Sequence, residues 1–264
     1  HADGYHQLQT LFQLLDFGDS MEFTLAAPGV LALHSQSATR HIAIPLDDNL
    51  ILQAANQLKA LDPGNRGASI RIRKRIPLGA GLGGGSSNAA ATLKALNQLW
   101  KLDFPLQELE KMGVELGADV PFFIKGGVQL VEGIGDILTP MDYALLKEYS
   151  FLLVVPPIQI STPWAYNALN KTLQPNKRLP KFSPLSKPMK WELFDNDFER
   201  VIRKTYPEIS NIKEKLQNAG ALYAGLSGSG STVFGVFDNH QKAEALLENF
   251  SPYQTFLSSP VFRC

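Results

Sequence analysis

Five of the seven positions from Gly79 to Gly85 are glycine, and this run limits what the segment can do. Glycine offers no side chain to bury and loses the most conformational freedom on ordering, so such a run does not serve a hydrophobic core. It does offer bare backbone, whose N–H groups can approach an anion closely. Apolar residues with helical spacing follow from Ala89 to Trp100. The sequence therefore predicts a loop that leads into a helix N-terminus, which suits a bound phosphate.

Three residues that favour the N-cap position stand between the glycines and the helical pattern. They are Ser86, Ser87 and Asn88. We expect the helix to begin here, with its unpaired N–H groups beside the glycine amides.

Two known phosphate-binding patterns compare poorly with this loop. The Walker pattern requires Gly-Lys-Ser/Thr, which does not occur here. Gly79-x-Gly81-x-x-Gly84 matches the dinucleotide fingerprint, but that fingerprint follows a buried parallel strand. In the segment from Ile70 to Ile76, the arginines fall on one face and the isoleucines, with Lys74, on the other, which predicts a half-exposed strand of the antiparallel kind. The residues after Trp100 predict further helix rather than a second strand, so the dinucleotide interpretation is disfavoured.

Composition excludes several classes of partner. The chain has 264 residues, 44% of them hydrophobic, and equal numbers of Lys+Arg and Asp+Glu, 25 each. A balanced charge gives no global field for nucleic acid or an acidic membrane surface. The one cysteine, Cys264, excludes an internal disulfide, and the apolar runs are too short to span a bilayer. We expect a cytoplasmic protein that binds neither nucleic acid nor membrane.

The remaining segments predict a mixture of strands and helices, which indicates an α+β fold. Strands are expected at 11–15, 20–25, 30–33, 70–76, 122–130, 133–139, 151–155 and 232–237, and helices at 50–61, 106–116, after 162, from 194, at 207–219 and at 240–250. Residues 174–190 contain four prolines among basic residues and predict a solvated loop.

The segment from Pro77 to Asn88, Pro-Leu-Gly-Ala-Gly-Leu-Gly-Gly-Gly-Ser-Ser-Asn, resembles the phosphate-loop motif of the GHMP kinases, a superfamily of small-metabolite kinases. The resemblance implies a two-domain α+β fold with a ribosomal S5 domain 2-like half and a ferredoxin-like half. A short polar stretch at 141–149 predicts the boundary between them, so we expect the halves at 1–145 and 146–264. It also implies ATP as phosphate donor and Mg²⁺ as its companion ion. The triple glycine followed by Ser-Ser-Asn-Ala-Ala is most similar to members that phosphorylate a cytidine diphosphate sugar alcohol, a small-molecule partner.

The resemblance assigns ATP binding to residues in the loop and on either side of it. These are Asn49, Lys74, Pro77, Gly79, Ala80, Gly81, Leu82, Gly83, Gly84, Gly85, Ser86 and Ser87. The resemblance places Asn49 at the adenine of ATP, with Lys74 nearby. Local sequence explains Asn49 equally well as the N-cap of the helix that starts at Leu50.

A carboxylate stands in the segment Gly117-Ala-Asp119-Val-Pro121. Local sequence favours Asp119 as a cap for a short turn before Pro121. In the family, the aspartate of this motif faces the γ-phosphate and the acceptor hydroxyl. The resemblance therefore implies that Asp119 is catalytic, because a carboxylate there can orient the alcohol and take its proton.

The resemblance assigns acceptor binding to residues from three distant segments. They are Tyr5, His6, Thr162, Tyr166, Gly228 and Ser229. The tyrosines and the histidine would hold a cytosine ring, while the loop from Gly225 to Ser231 would pack beside the phosphate loop. Each segment also has a structural explanation, as a turn flanked by aromatic residues, a buried aromatic cluster or a hairpin.

Three functions remain open at this stage. In the family, a strand with a catalytic lysine and an asparagine precedes the segment that corresponds to Ala2 to His6, whereas only His1 precedes Ala2 in this sequence. A kinase for the cytidyl alcohol is the leading hypothesis. The alternatives are a GHMP kinase for another alcohol and a nucleotide-binding module without activity. The sequence indicates no metal ligands and no oligomeric state.

Overall fold

The computed structural model describes residues 8–37, 49–142, 146–170 and 189–262. The first half contains six strands and four helices among these residues. They are β1 (Leu8–Gln13), β2 (Ser20–Ala26), β3 (Leu31–Ser37), α1 (Leu50–Ala60), β4 (Gly67–Lys74), α2 (Gly84–Leu99), α3 (Leu106–Leu116), α4 (Val120–Lys125), β5 (Val128–Gly133) and β6 (Ile137–Pro140).

The strand that leads to the glycine run is the centre of a three-stranded sheet. β4 pairs with β2 antiparallel and with β3 parallel. Ile70 and Ile72 are buried on one face, whereas Arg71 and Arg73 are exposed on the other, as the alternation predicted. The expectation of a purely antiparallel strand is wrong, because β3 runs alongside β4 in the same direction. β1, β5 and β6 form a second, antiparallel sheet.

The core of the first half lies between β4 and its helices. Buried side chains of α1 and α2 pack together over Ile70, and Trp100 closes the end of α2 with its indole N–H 3.3 Å from the carbonyl oxygen of Gly67. Apolar burial of this kind is the main contribution that holds α2 against the sheet. The N-terminus of α2 is therefore fixed in position.

The second half has a four-stranded antiparallel sheet. Its elements are β7 (Ser150–Val155), α5 (Thr162–Asn170), a 3-10 helix (Trp191–Leu193), α6 (Glu199–Thr205), α7 (Pro207–Asn218), β8 (Tyr223–Leu226), β9 (Val233–Phe237), α8 (His240–Glu244), a second 3-10 helix (Leu247–Phe250) and β10 (Gln254–Ser258). The strand order β10-β7-β9-β8, with helices between β7 and β8 and between β9 and β10, is that of a ferredoxin-like fold. The ferredoxin-like expectation is confirmed.

The two faces of this sheet have different neighbours. Leu152 and Val154 pack with α6 and α7, whereas Phe151 and Leu153 pack on the side that also contacts Phe17 of the first half. The backbone N–H of Val261 donates to the carbonyl oxygen of Leu14 at 2.7 Å, which joins the end of the described chain to the first half. A division at residues 145 and 146 stays a prediction.

Three local predictions are wrong. The expected strand from Phe122 to Leu130 is divided between helix α4 and strand β5. Gly225 and Leu226, expected in the second glycine loop, belong to β8, so that loop begins at Ser227. The helix expected from Phe194 begins at Glu199, because residues 194–198 form an irregular segment with a single 3-10 turn before it.

Candidate active site

A cleft of about 2210 Å³ lies between the two halves and contains most of the residues that the sequence singled out. Those in its lining are Lys74, Pro77, Gly79, Ala80, Gly81, Leu82, Gly83, Gly84, Gly85, Ser87, Asp119, Thr162, Tyr166, Gly228 and Ser229. Of the described candidates, Asn49 and Ser86 stand apart from this lining. Tyr5 and His6 lie outside the described residues.

The phosphate loop uses glycine where the backbone requires it. Gly79, Gly81 and Gly83 have φ angles of +67°, +74° and +65°, in the left-handed region that other residues rarely adopt. A Cβ on Gly83 would also lie 2.5 Å from the ring of Phe123. The glycine run therefore reflects a folded loop with close neighbours.

Helix α2 begins earlier than expected, and its predicted caps are wrong. Gly83 is the N-cap, and none of the described side chains caps this terminus. Ser87 instead donates its hydroxyl to the carbonyl oxygen of Gly84 at 3.0 Å, and Asn88 donates its side-chain amide to Asp19 at 2.9 Å. Because the first-turn N–H groups have no intrahelical acceptor, they remain available to an anion in the cleft.

The second glycine loop, residues 227–232, packs directly against the phosphate loop. The Ser227 hydroxyl donates to the carbonyl oxygen of Gly81 at 2.8 Å, and the Thr232 N–H donates to that of Ala80 at 3.1 Å. A Cβ on Gly81 would lie 2.4 Å from the Ser227 carbonyl oxygen, so only glycine permits this approach. The predicted contact between the two glycine loops is present.

Asp119 occupies the N-cap position of α4 without acting as a cap. Its carboxylate has no hydrogen-bond or ion-pair partner within the described parts of the chain, and the capping alternative is therefore wrong. Water reaches the carboxylate from the cleft, but the surrounding walls desolvate it enough to raise its pKa above the usual value. A carboxylate with a shifted pKa in a cleft is a candidate functional group.

Tyr166 of α5 also lines the cleft, near enough to this carboxylate to feel its charge. Burial raises the pKa of the Tyr166 hydroxyl, and the negative charge of Asp119 raises it further. The ring packs edge-on against Phe198, with centroids 4.9 Å apart. One turn earlier, the Thr162 hydroxyl is 2.9 Å from that of Ser229. Helix α5 and the second glycine loop thus bring three of the predicted acceptor residues to one wall.

Asn49 caps α1, which was one of its two proposed roles. Its side-chain oxygen accepts a hydrogen bond from the N–H of Ile51 at 2.9 Å, and the residue is buried. Its proposed contact with adenine stays a prediction. Lys74 does line the cleft and forms an ion pair with Asp19.

Sequence reasoning missed two residues that hold the loops. Asp19 binds the start of the phosphate loop and the beginning of α2. Asn196 donates its side-chain amide to the carbonyl oxygens of Leu226 and Gly228, each at 2.9 Å. Neither residue stands in a glycine-rich motif. The sequence around each residue gives no sign of a contact with a segment that lies far away along the chain.

Comparisons with known proteins agree with this geometry. Sequence models of the GHMP kinase N-terminal and C-terminal domains match residues 49–127 and 178–253. The chain belongs to the GHMP kinase family. It is 37% identical to 4-diphosphocytidyl-2-C-methyl-D-erythritol kinase of Thermodesulfovibrio yellowstonii, over 95% of this chain and 88% of that protein. It is 39% identical to the Pseudomonas putida protein of the same name, over 96% of this chain and 84% of that one.

Solved structures give the same picture. A crystal structure of 4-(cytidine 5'-diphospho)-2C-methyl-D-erythritol kinase superposes with a TM-score of 0.78 at 27% identity, covering 98% of this chain and 92% of that one. A homoserine kinase from Cytophaga hutchinsonii superposes with a TM-score of 0.73 at 20% identity, covering 96% and 89% of the two chains, which shows the shared fold. Among the described helices, none is both long and apolar enough to cross a membrane.

Proposed function

We propose that this protein transfers the γ-phosphate of ATP to the 2-hydroxyl of 4-diphosphocytidyl-2-C-methyl-D-erythritol. The names of the relatives support this substrate. The structural observation that carries the proposal is the shared cleft, in which the unpaired Asp119 carboxylate and the uncapped N-terminus of α2 both lie. Phosphoryl transfer to an alcohol requires groups that hold the phosphates and a group that orients the alcohol, and these two features can supply them.

The phosphate loop provides the donor half of the site. Backbone N–H groups at the start of α2 and the positive end of its dipole favour the charge on the triphosphate. Such preorganised donors stabilise the transferring group without reorganising during the reaction. The second glycine loop supports this cradle through its bonds to Ala80 and Gly81.

Asp119 provides the acid–base half. The alcohol must lose its proton as its oxygen forms a bond to phosphorus, and an aspartate within reach can accept that proton. The raised pKa of Asp119 improves this role, because a base works best when its pKa approaches the working pH. No partner within the described residues occupies its oxygens, so one is available to the alcohol and the other to an ion that accompanies ATP.

The residues also fit a magnesium ion that arrives with ATP. The described residues contain no group of three His, Cys, Asp or Glu that could hold a metal, so this part of the chain offers no complete ligand set. Magnesium suits this arrangement, since it is commonly bound by one or two carboxylates together with substrate phosphates. Asp119 is the unpaired carboxylate that could supply a ligand, and the ion would neutralise charge on the β- and γ-phosphates.

The acceptor would lie against α5 and the second glycine loop. Thr162 and Ser229 offer hydroxyls, and Tyr166 offers a half-buried ring on which a cytosine can stack. Tyr5 and His6 are proposed on the other side of the base, although they lie outside the described residues. A cytoplasmic location completes the proposal and agrees with the single cysteine, Cys264.

Asp119→Asn in the full-length protein tests the proposed chemistry. Asparagine keeps the shape but cannot accept a proton, so we expect turnover to fall by about 10²–10⁴-fold while ATP affinity is retained. The control is Asp103→Asn, at an exposed carboxylate outside the cleft whose φ of +56° asparagine tolerates. Near-normal turnover in the Asp119 variant would remove this residue from the mechanism. An unmodified protein that binds ATP without phosphorylating any alcohol would instead indicate a nucleotide-binding module.

A further inference from the structure

The Asp19 carboxylate has more partners than its place before β2 suggests. Its side chain is fully buried, and one oxygen accepts hydrogen bonds from the N–H groups of Arg75 at 2.7 Å and Ile76 at 2.9 Å. The other oxygen accepts one from the Asn88 side-chain amide at 2.9 Å and pairs with the Lys74 ammonium. Four donors around one carboxylate satisfy nearly all of its lone pairs.

These donors belong to the two ends of the phosphate loop. Arg75 and Ile76 begin the loop, and Asn88 lies in the second turn of the helix that ends it. The carboxylate therefore joins both ends across a sequence separation of 56 to 69 residues. Burial alone would raise the pKa of Asp19, but its donors outweigh that effect and lower the pKa, so the group stays ionised at neutral pH.

We propose that Asp19 is a positioning residue, which holds the phosphate loop and the Lys74 ammonium in the geometry that binds the triphosphate of ATP. The inference rests on the proposed function, because it takes ATP to be the ligand of this loop. Asp19 acts here through the loop amides and Lys74. Displacement of binding groups by 1 Å can cost about 100-fold in rate, so a loop held at both ends has functional value.

Asp62 is a second buried carboxylate with several donors, but all of its donors are close to it in the sequence. It too has a fully buried side chain, and it accepts hydrogen bonds from the N–H groups of Gly64 and Arg66 and from the Arg66 guanidinium. All these partners lie within four residues of Asp62, and none of the three lines the main cleft. Asp62 thus closes a turn, and it provides a matched control for Asp19.

The variant Asp19→Asn keeps the acceptor for one pair of donors and removes the acceptor for the other pair. Its remaining oxygen can still accept from Arg75 and Ile76. The new amide NH₂ would face two other donors, Lys74 and Asn88, so the ion pair and the bond to α2 are both lost. Asn88→Ala removes only the bond to α2 and serves as the second variant.

The experiment measures KM for ATP, KM for the cytidyl substrate, kcat and thermal stability in the full-length protein. We expect Asp19→Asn to raise KM for ATP by about 10- to 100-fold and to change KM for the cytidyl substrate by less than about 3-fold. Asn88→Ala should raise KM for ATP in the same direction by a smaller factor. The double variant should raise it by less than the product of the two single factors, since both act through one contact.

Asp62→Asn shows what the loss of a carboxylate with a purely structural role does to stability and to KM for ATP. It should lower the melting temperature without changing KM for ATP. The inference is overturned if Asp19→Asn and Asp62→Asn change KM for ATP equally, or if Asp19→Asn changes stability alone. If Asp19→Asn does not fold, an unchanged KM for ATP in Asn88→Ala overturns it. An unmodified protein that binds no ATP contradicts the proposed function itself, whereas ATP binding that Asp19→Asn leaves intact contradicts only this inference.

Discussion

Alanine at Gly81 tests the contact between the two glycine loops, and alanine at Gly79 controls for the cost of backbone conformation. Both glycines have positive φ, +74° and +67°. A Cβ at Gly81 would lie 2.4 Å from the carbonyl oxygen of Ser227 and 2.7 Å from that of Gly230. At Gly79, no atom of the described residues apart from Gly79 and its two chain neighbours lies within 4 Å of the added carbon. The two variants therefore share conformational strain, and only one adds a collision with backbone.

The expected magnitudes follow from these contacts. The left-handed conformation costs an alanine about 1–2 kcal/mol at either position. At Gly81, overpacking adds about 1–3 kcal/mol. Each hydrogen bond displaced between the loops adds about 0.5–1.5 kcal/mol. We expect Gly81→Ala to lose at least about 2 kcal/mol more than Gly79→Ala, which is a further fall of roughly 4–8 °C in melting temperature for a protein of this size.

Denaturant unfolding and thermal melting of the two variants, measured side by side with the unmodified protein, give the comparison. ATP should protect Gly79→Ala against unfolding better than Gly81→Ala, because the second change also moves the phosphate loop. Equal losses of stability in the two variants would refute the close approach of the loops as described.

Further predictions concern the carboxylate and the acceptor wall. Burial raises the pKa of Asp119, so ionisation of this carboxyl lowers the stability of the folded protein as pH rises above the unfolded pKa near 3.8. Asp119→Asn should therefore melt at a higher temperature than the unmodified protein at pH 7, and this difference should disappear below pH 3.8. An equal or lower melting temperature of the variant at pH 7 contradicts this. Tyr166→Ala should weaken binding of the cytidyl substrate by about 1–3 kcal/mol and leave ATP binding unchanged, as calorimetry can check; equal losses for both would indicate a packing role. Asn196→Ala removes the hydrogen bonds to the carbonyl oxygens of Leu226 and Gly228. It should lower kcat/KM for the cytidyl substrate by about tenfold and kcat/KM for ATP by a smaller factor. An unchanged kcat/KM for the cytidyl substrate would show that the second glycine loop keeps its shape without these bonds.

The sequence predicted those strands and helices whose apolar residues repeat with a clear period within one short segment. Alternation in Ile70 to Ile76 identified a half-exposed strand, and the helical spacing from Leu106 to Leu116 gave the bounds of α3. The apolar run at Phe122 was taken for a strand, because a short apolar segment has no period that separates strand from helix. Pro121 at the first turn of α4 was the available signal for helix.

The expected site residues come together where they form compact motifs, while their roles stay predictions. The glycine loops and Asp119 stand in such motifs, and the structure places them in one cleft. The caps of α2 were wrong, because a glycine in the left-handed region replaced the expected serine, and the side chain of Asn88 turned to Asp19 instead. Asp19 could not be found, since its partners are 55 to 69 residues away and depend on how β2, β4 and α2 meet.

The proposed reaction is tested most directly by offering several alcohols to the full-length protein with ATP and magnesium. Transfer of phosphate would be followed by mass spectrometry, and the position of the new phosphate by phosphorus and carbon NMR. The proposal predicts phosphorylation of 4-diphosphocytidyl-2-C-methyl-D-erythritol at its 2-hydroxyl, with homoserine and mevalonate left unmodified. Faster transfer to homoserine or mevalonate, or transfer to a different hydroxyl of the cytidyl substrate, would contradict it.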